Sequence, residues 1–151
     1  TLHTNDAAGA ITRLLDMGIE PFLMASCIIL SQAQRLYRKL CPSCKKPTEP
    51  DKDLMEMNHV APDIFKDVTI YGPQGCPKCH NTGYTGRGSI MEVMKIDADI
   101  KQAILRQAIG AEIRDIAVTK GMITLLSGAL TRVKEGQTSL DVALKVAGAG
   151  D

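Results

Sequence analysis

Cys41-Pro42-Ser43-Cys44 and Cys76-Pro77-Lys78-Cys79 are two versions of one four-residue pattern, separated by thirty-one residues. In each, two thiols stand two residues apart, so a tight turn aims both sulfurs at one point. Two such turns supply four ligands, the closed tetrahedron that Zn²⁺ adopts in structural sites. A Pro after the first Cys fixes its own φ and disfavours helix at the residue before it, which keeps each hairpin a turn. Cys41, Cys44, Cys76 and Cys79 are therefore the candidate ligands, and zinc the leading metal. A redox or disulfide pair, or iron in the same thiolate cage, are the alternatives. Four unrelated buried thiols do not explain why the spacing repeats. His59 and His80 are not needed, because four thiolates complete the shell and leave no open position for water or substrate; the role expected of the metal is structural.

Working outward toward the N-terminus, Asn5 or Asp6 can cap a helix through Met17, with Gly18 as its left-handed terminator and Thr12, Arg13 and Asp16 on its wetter side. Glu20-Pro21 starts a second helix, predicted to run to Leu40 because Leu23, Cys27, Leu30, Ala33, Tyr37 and Leu40 recur at helical spacing. The stretch 22–30 is apolar almost all round and is expected to be buried. Cys27 reads as a small buried hydrophobe. Arg35, Arg38, Lys39, Lys45 and Lys46 place five cations near the first hairpin, either as a solvated face or as a site for an acidic partner.

Between the hairpins, Asp51 to Asn58 predicts a short helix with Leu54 and Met57 inward, and Val68 to Tyr71 a short strand. An insert this small cannot keep a core without its metal, so zinc binding and folding should be one event. The glycines after the second hairpin do not form a phosphate loop, since no G-x-x-x-x-G-K-[ST] occurs. Ser89 to Ile96 predicts a strand with Ile90, Val93 and Ile96 imperfectly alternating. Four short helices follow: Asp97–Ala108, Gly110–Lys120, Thr124–Glu135 and Leu140–Ala147, the last capped by Ser139. Their expected core is Ile100, Ile104, Leu105, Ile113, Ile116, Ala117, Leu125, Leu126, Leu130, Val133, Leu140 and Leu144. The fold class expected from the residues is mainly α with a small zinc-bound α/β insert.

The 151 residues contain 44% hydrophobic and 23% charged residues, but only 3% aromatic and no Trp, so the cores must be aliphatic. Eighteen basic against seventeen acidic residues leave a net charge of +1, which gives no global signal for nucleic acid or a membrane surface. No apolar run approaches the roughly 20 residues that span a bilayer, and five cysteines used in this way suit a reducing compartment. The opening Thr1-Leu2-His3-Thr4-Asn5 reads like the end of a strand entering a helix, as in an excised C-terminal part.

That opening, with Asp6-Ala7-Ala8-Gly9-Ala10, Arg13-Leu14 and Asp16-Met17-Gly18, resembles the histidine box of bacterial secretion ATPases. Ala33-Gln34-Arg35-Leu36, Arg38-Lys39-Leu40-Cys41, the tetracysteine, Thr82-Gly83-Tyr84 with Gly86-Arg87, and Gly136 to Leu144 continue the resemblance in the family's order. The chain resembles the C-terminal part of the type II secretion and type IV pilus assembly ATPases, in the branch that carries the tetracysteine; retraction ATPases lack it. Ser127-Gly128 stands where Asp-Gly is common, Asp141-Val142-Ala143 where paired acids are, and Gly88-Ser89-Ile90-Met91-Glu92 departs from the usual Tyr-Glu pattern.

The resemblance implies a RecA-like, hexameric P-loop ATPase using ATP and Mg, whose Walker A and Walker B motifs lie upstream and are not in this sequence. It implies His3 as a nucleotide sensor near the γ-phosphate, in the parent protein only. This chain alone is not expected to hydrolyse ATP. On that reading, residues 1–40 end the RecA-like core, 41–95 form the zinc subdomain, 96–147 a helical bundle and 148–151 a disordered tail. Implied partners are other subunits of a homohexamer and inner-membrane platform proteins, at a cytoplasmic site peripheral to the inner membrane, with no nucleic acid and no membrane insertion. A stand-alone zinc-ribbon module that binds nucleic acid or protein is the alternative, although the second hairpin lacks the basic, aromatic-bearing surface that nucleic acid would want. A chaperone-type zinc module would repeat Cys-x-x-Cys-x-Gly-x-Gly four times, and only two unlike hairpins are present.

Overall fold

The computed structural model describes residues 2–148, which form seven helices and four strands: α1 (Ala7–Asp16), α2 (Pro21–Cys27), β1 (Leu30–Leu40), β2 (Lys46–Thr48), α3 (Lys52–Met57), β3 (Ile70–Gly72), β4 (Tyr84–Lys95), α4 (Ala98–Leu105), α5 (Gly110–Thr119), α6 (Leu125–Lys134) and α7 (Leu140–Ala147). The contacts divide them into two compact units. Among the described residues, 2–34 and 91–125 make the first, and 35–90 and 126–148 the second. Strands β1 and β4 pair in a two-stranded sheet, and each contributes residues to both units. Beyond Gly148 the expected tail lies outside the described residues.

In the first unit α2 packs on α4, α1 on α5, and α4 on α5. Its core is aliphatic, as the composition requires: Ile11, Met24, Met94, Ile100, Ile104 and Ile113 are each no more than 2% exposed, and burial of such side chains stabilises by about 1.5–3 kcal/mol apiece. Asp6 caps α1 by accepting the Gly9 N–H at 2.6 Å, and Gly18 closes the helix at φ +80°. Thr12 is not on a wet side. Its hydroxyl is buried against the start of α5, where a Cβ on Gly110 would come within 2.9 Å of Thr12 Oγ1.

The long second helix is not formed. After Cys27 the chain turns extended and continues as β1, because the run Ile28-Ile29 is β-branched and Ser31, Ala33 and Tyr37 fall on one buried face of a period-two strand. The helical spacing of the apolar residues coincided with a strand's alternation at Ala33 and Tyr37. Residues 22–30 are not uniformly buried either. Phe22, Leu23, Ile29 and Leu30 are exposed, by 69%, 53%, 79% and 48%, and Cys27 is exposed with them.

Asp97 caps α4 as expected, accepting the N–H groups of Asp99 and Ile100, and its other oxygen takes Lys120 Nζ at 2.6 Å. That hydrogen bond, first, and the Ile100 amide, second, hold the Asp97 carboxyl below the usual carboxylate range; Lys120 is raised by Asp97 and then by Asp99. A lowered folded-state value for Asp97 makes its contribution complete above the unfolded value of about 3.9, with loss as pH falls through the lower one. For Lys120 the contribution is complete below about 10.4 and is lost as pH rises through the raised value. Asp97→Asn retains the cap and removes the charge. It is expected to lower the thermal midpoint at pH 7, and the difference from wild type should close in melts taken as pH falls through the lowered folded-state value of Asp97.

In the second unit β2 pairs antiparallel with β3, Lys46 facing Gly72 and Thr48 facing Ile70. Helix α3 turns Met55 inward rather than Met57, which is 79% exposed; Leu54 is half-buried. Val60, Phe65 and Ile70 are the other buried side chains of this insert. Residues of α6 and α7 bury Ala129, Leu130, Val133, Leu140 and Leu144 in the same unit. Of the expected helical core, Leu105 is exposed and Ile116 and Leu126 only partly buried. Ser139 precedes α7, but its hydroxyl meets the Tyr84 hydroxyl at 2.7 Å instead of capping the helix.

Candidate metal centre

Strand β1 ends on the buried Leu40 and delivers Cys41 directly into the first turn, where the N–H groups of Cys44 and Lys45 return to the Cys41 carbonyl at 3.3 and 3.0 Å. The second turn is a single 3-10 turn over Pro77–Cys79, with Pro77 at the position whose missing N–H costs no bond. It is entered through Gly75 at φ +99° and left through His80 and Asn81, both in the left-handed region at φ +51° and +60°. A Cβ on Gly75 would stand 2.8 Å from the Asn81 carbonyl oxygen, so the loop closes on itself only with glycine there.

The two turns bring four sulfurs together. Cys41 and Cys76 Sγ are 3.9 Å apart, Cys44 and Cys79 3.8 Å, Cys76 and Cys79 3.7 Å, and all four lie within 4.8 Å of one another. These separations are far beyond the roughly 2.05 Å of a disulfide. Cys41, Cys44 and Cys79 are buried and Cys76 is half-buried. The cluster could hold a metal ion, and it is the one such His, Cys or carboxylate group among the described residues. These are the four cysteines read from the spacing; neither His59 nor His80 belongs to the cluster, and both are exposed.

Backbone groups surround the sulfurs. Cys79 Sγ accepts the N–H of Cys76 and of Gly83, each at 3.2 Å, and the Gly83 carbonyl accepts the Cys41 N–H at 2.9 Å. Gly83 thus touches both hairpins. Burial works to raise the Cys79 thiol, but those two N–H groups and the neighbouring thiols carry it down to about 6; burial pushes the Cys44 thiol up to about 11. Cys41 is held below the ordinary thiol value, first by its hydrogen bond with the Ser43 backbone. Such N–H···S bonds favour a thiolate, the form that binds metal.

The cations near the first hairpin do not make one patch. Lys45 lies over the Tyr71 ring at 4.6 Å and donates to the Gly136 carbonyl at 2.9 Å, while Arg38 lies over Tyr84 at 4.3 Å. Arg35 and Arg38 join Lys145, Leu36, Val142 and Val146 around a cavity of about 430 Å³. His3 belongs to the first unit, exposed in the irregular segment ahead of α1.

The family model described as Type II/IV secretion system protein matches residues 1–145. The chain belongs to that family. It is 43% identical over 142 residues to the type IV pilus assembly ATPase PilB of Myxococcus xanthus, covering 93% of this chain and 25% of the relative. With the type II secretion system ATPase E of Vibrio cholerae it shares 40% identity over 149 residues, 97% of the chain and 28% of the relative. The PilB of Thermus thermophilus is 40% identical over 144 residues, 95% of the chain and 16% of the relative. The chain therefore spans between 16% and 28% of the length of these relatives. No helix among the described residues is long and apolar enough to cross a membrane.

Proposed function

We propose that this chain is the zinc-stabilised C-terminal part of a hexameric, RecA-like ATPase that powers type IV pilus assembly or type II secretion. The observation that carries the zinc reading is the spacing of the sulfurs. A tetrahedron with Zn–S arms of about 2.3 Å has edges of roughly 3.8 Å, and three sulfur pairs stand at 3.7, 3.8 and 3.9 Å. Four thiolates would fill the shell, so the metal would fix the fold of the second unit and take no part in chemistry.

ATP and Mg would be bound by the rest of the parent protein, to which this chain brings the His3 segment. Exposed Phe22, Leu23, Ile29 and Leu30, close in sequence in the first unit, support a neighbour there, because large apolar side chains left on a surface are a mark of interfaces. In this reading residues 1–40 continue the nucleotide-binding core, and the partners are sister subunits and platform proteins at the cytoplasmic face of the inner membrane. His3 would hydrogen-bond the γ-phosphate and lose that contact on hydrolysis. In the full-length protein His3→Ala is expected to cut ATP turnover by about tenfold or more while nucleotide affinity stays near wild type. Turnover unchanged by the substitution, measured beside nucleotide binding, would remove His3 from the mechanism.

A further inference from the structure

We propose that Glu92 is a positioning residue that fixes the backbone leading from His3 into α1. Strand β4 puts Glu92 on its buried face between Ile90 and Met94, and the side chain is 1% exposed. A carboxylate in that place must have its oxygens satisfied, because a buried ionised group without partners is costly. Oε1 accepts the Ala7 N–H at 2.8 Å, and Oε2 accepts the Leu125 N–H at 3.2 Å. Ala7 and Leu125 are the first residues of α1 and α6. Their N–H groups are among those a helix leaves unpaired at its start, where the helix dipole also favours negative charge.

The grip on Ala7 is double. Ser31 on β1 donates its hydroxyl to the Ala7 carbonyl at 2.8 Å, so both polar groups of this residue are taken by side chains from strands. Ala7 and Ala8 are 0% and 1% exposed, and their small side chains let the strands approach that closely. Asp6, which caps α1, and Thr4, which donates to the Asp6 carbonyl at 3.1 Å, continue the ordered path back toward His3. Three residues lie between His3 and the clamped Ala7, too few for the imidazole to be placed independently of it. Gln at 92 cannot substitute. It has one acceptor oxygen where two N–H groups need one each, and its amide would present a donor to a donor.

The inference rests on His3 acting as a nucleotide sensor, and the test separates the two ideas. In the full-length protein Glu92→Gln is expected to lower kcat for ATP about tenfold with KM little changed, since a misplaced sensor affects the transition state more than nucleotide binding. Ile113→Val, which trims a fully buried side chain of the same unit, serves as the control for stability alone and should leave kcat near wild type. Ser31→Ala, which removes the milder half of the grip, covers the case in which Glu92→Gln does not fold, and should lower kcat in the same direction. In the 151-residue chain, amide exchange at Ala7 and Leu125 should be about tenfold faster in Glu92→Gln than in wild type. A kcat that falls no further in Glu92→Gln or Ser31→Ala than in Ile113→Val overturns the positioning role while wild-type turnover upholds the ATPase reading. Unchanged exchange at both amides overturns the clamp itself, whatever the full-length protein does.

Discussion

Cys79→Ser is expected to release the metal and unfold the insert between the two hairpins. Of the four sulfurs, Cys79 Sγ is the one that accepts two backbone N–H groups as well as standing within 3.8 Å of two other thiols. Serine offers a harder, much less acidic donor on a shorter bond, so the tetrahedron loses an arm and the Cys76 and Gly83 amides lose the thiolate they donate to. Structural zinc in small domains contributes on the order of 10 kcal/mol to folding, comparable with the whole stability of an ordinary domain at about 5–15 kcal/mol. The buried Met55, Val60, Phe65 and Ile70 cannot offset a loss of that size. Elemental analysis of the wild-type chain should find about one zinc, with four thiols masked until a chelator is added. In Cys79→Ser the zinc should be gone, and the backbone resonances of α3 and β3 should collapse toward random-coil values. Cys27→Ser is the matched control, because Cys27 is exposed on α2 in the other unit. Full zinc content and native resonances in Cys79→Ser would remove Cys79 from the metal's shell.

What the sequence discloses depends on how local the controlling interaction is. Cys41, Cys44, Cys76 and Cys79 were legible because ligand chemistry imposes a spacing of its own, whatever the surrounding fold. Helix limits such as Asp6, Gly18 and Asp97 were legible for the same reason, since caps act within one turn. Strand β1 was not. Leu23, Cys27 and Leu30 imitate a helical stripe, and the first side chain on the strand's buried face is a serine, whose hydroxyl reaches the distant Ala7 carbonyl. Strand β4 hid its alternation in the same way. Ile90, Glu92, Met94 and Ile96 are the inward set and Val93 is exposed, but a carboxylate at the second of these positions breaks the apolar pattern. Polar residues recruited to hold the start of a helix are therefore where pattern reading failed and where the tertiary structure adds most.

Gly83→Ala is the second substitution expected to act strongly, and it does so without touching a sulfur. Gly83 sits at φ +77°, where a side chain costs roughly 1–2 kcal/mol. A Cβ there would also stand 2.4 Å from Pro73 Cβ, 3.1 Å from Pro73 Cα and 3.3 Å from the Gln74 nitrogen. These atoms belong to a proline ring and to backbone, so neither side can swing away, and overpacking of this kind costs roughly 1–3 kcal/mol. The movement that relieves it must displace the Gly83 N–H from Cys79 Sγ or its carbonyl from the Cys41 N–H, which loosens both hairpins at once. The sum, about 2–5 kcal/mol, should weaken zinc binding by roughly 100-fold or more in competition with a chelator. Gly86→Ala separates the two causes. Gly86 lies at φ +74° with nothing within 4 Å of its would-be Cβ, so only the conformational cost of about 1–2 kcal/mol applies and zinc affinity should change by roughly 30-fold or less. Equal losses at positions 83 and 86 would mean that backbone conformation alone governs this turn; a larger loss at Gly83 means that contact with Pro73 holds the loop on the metal.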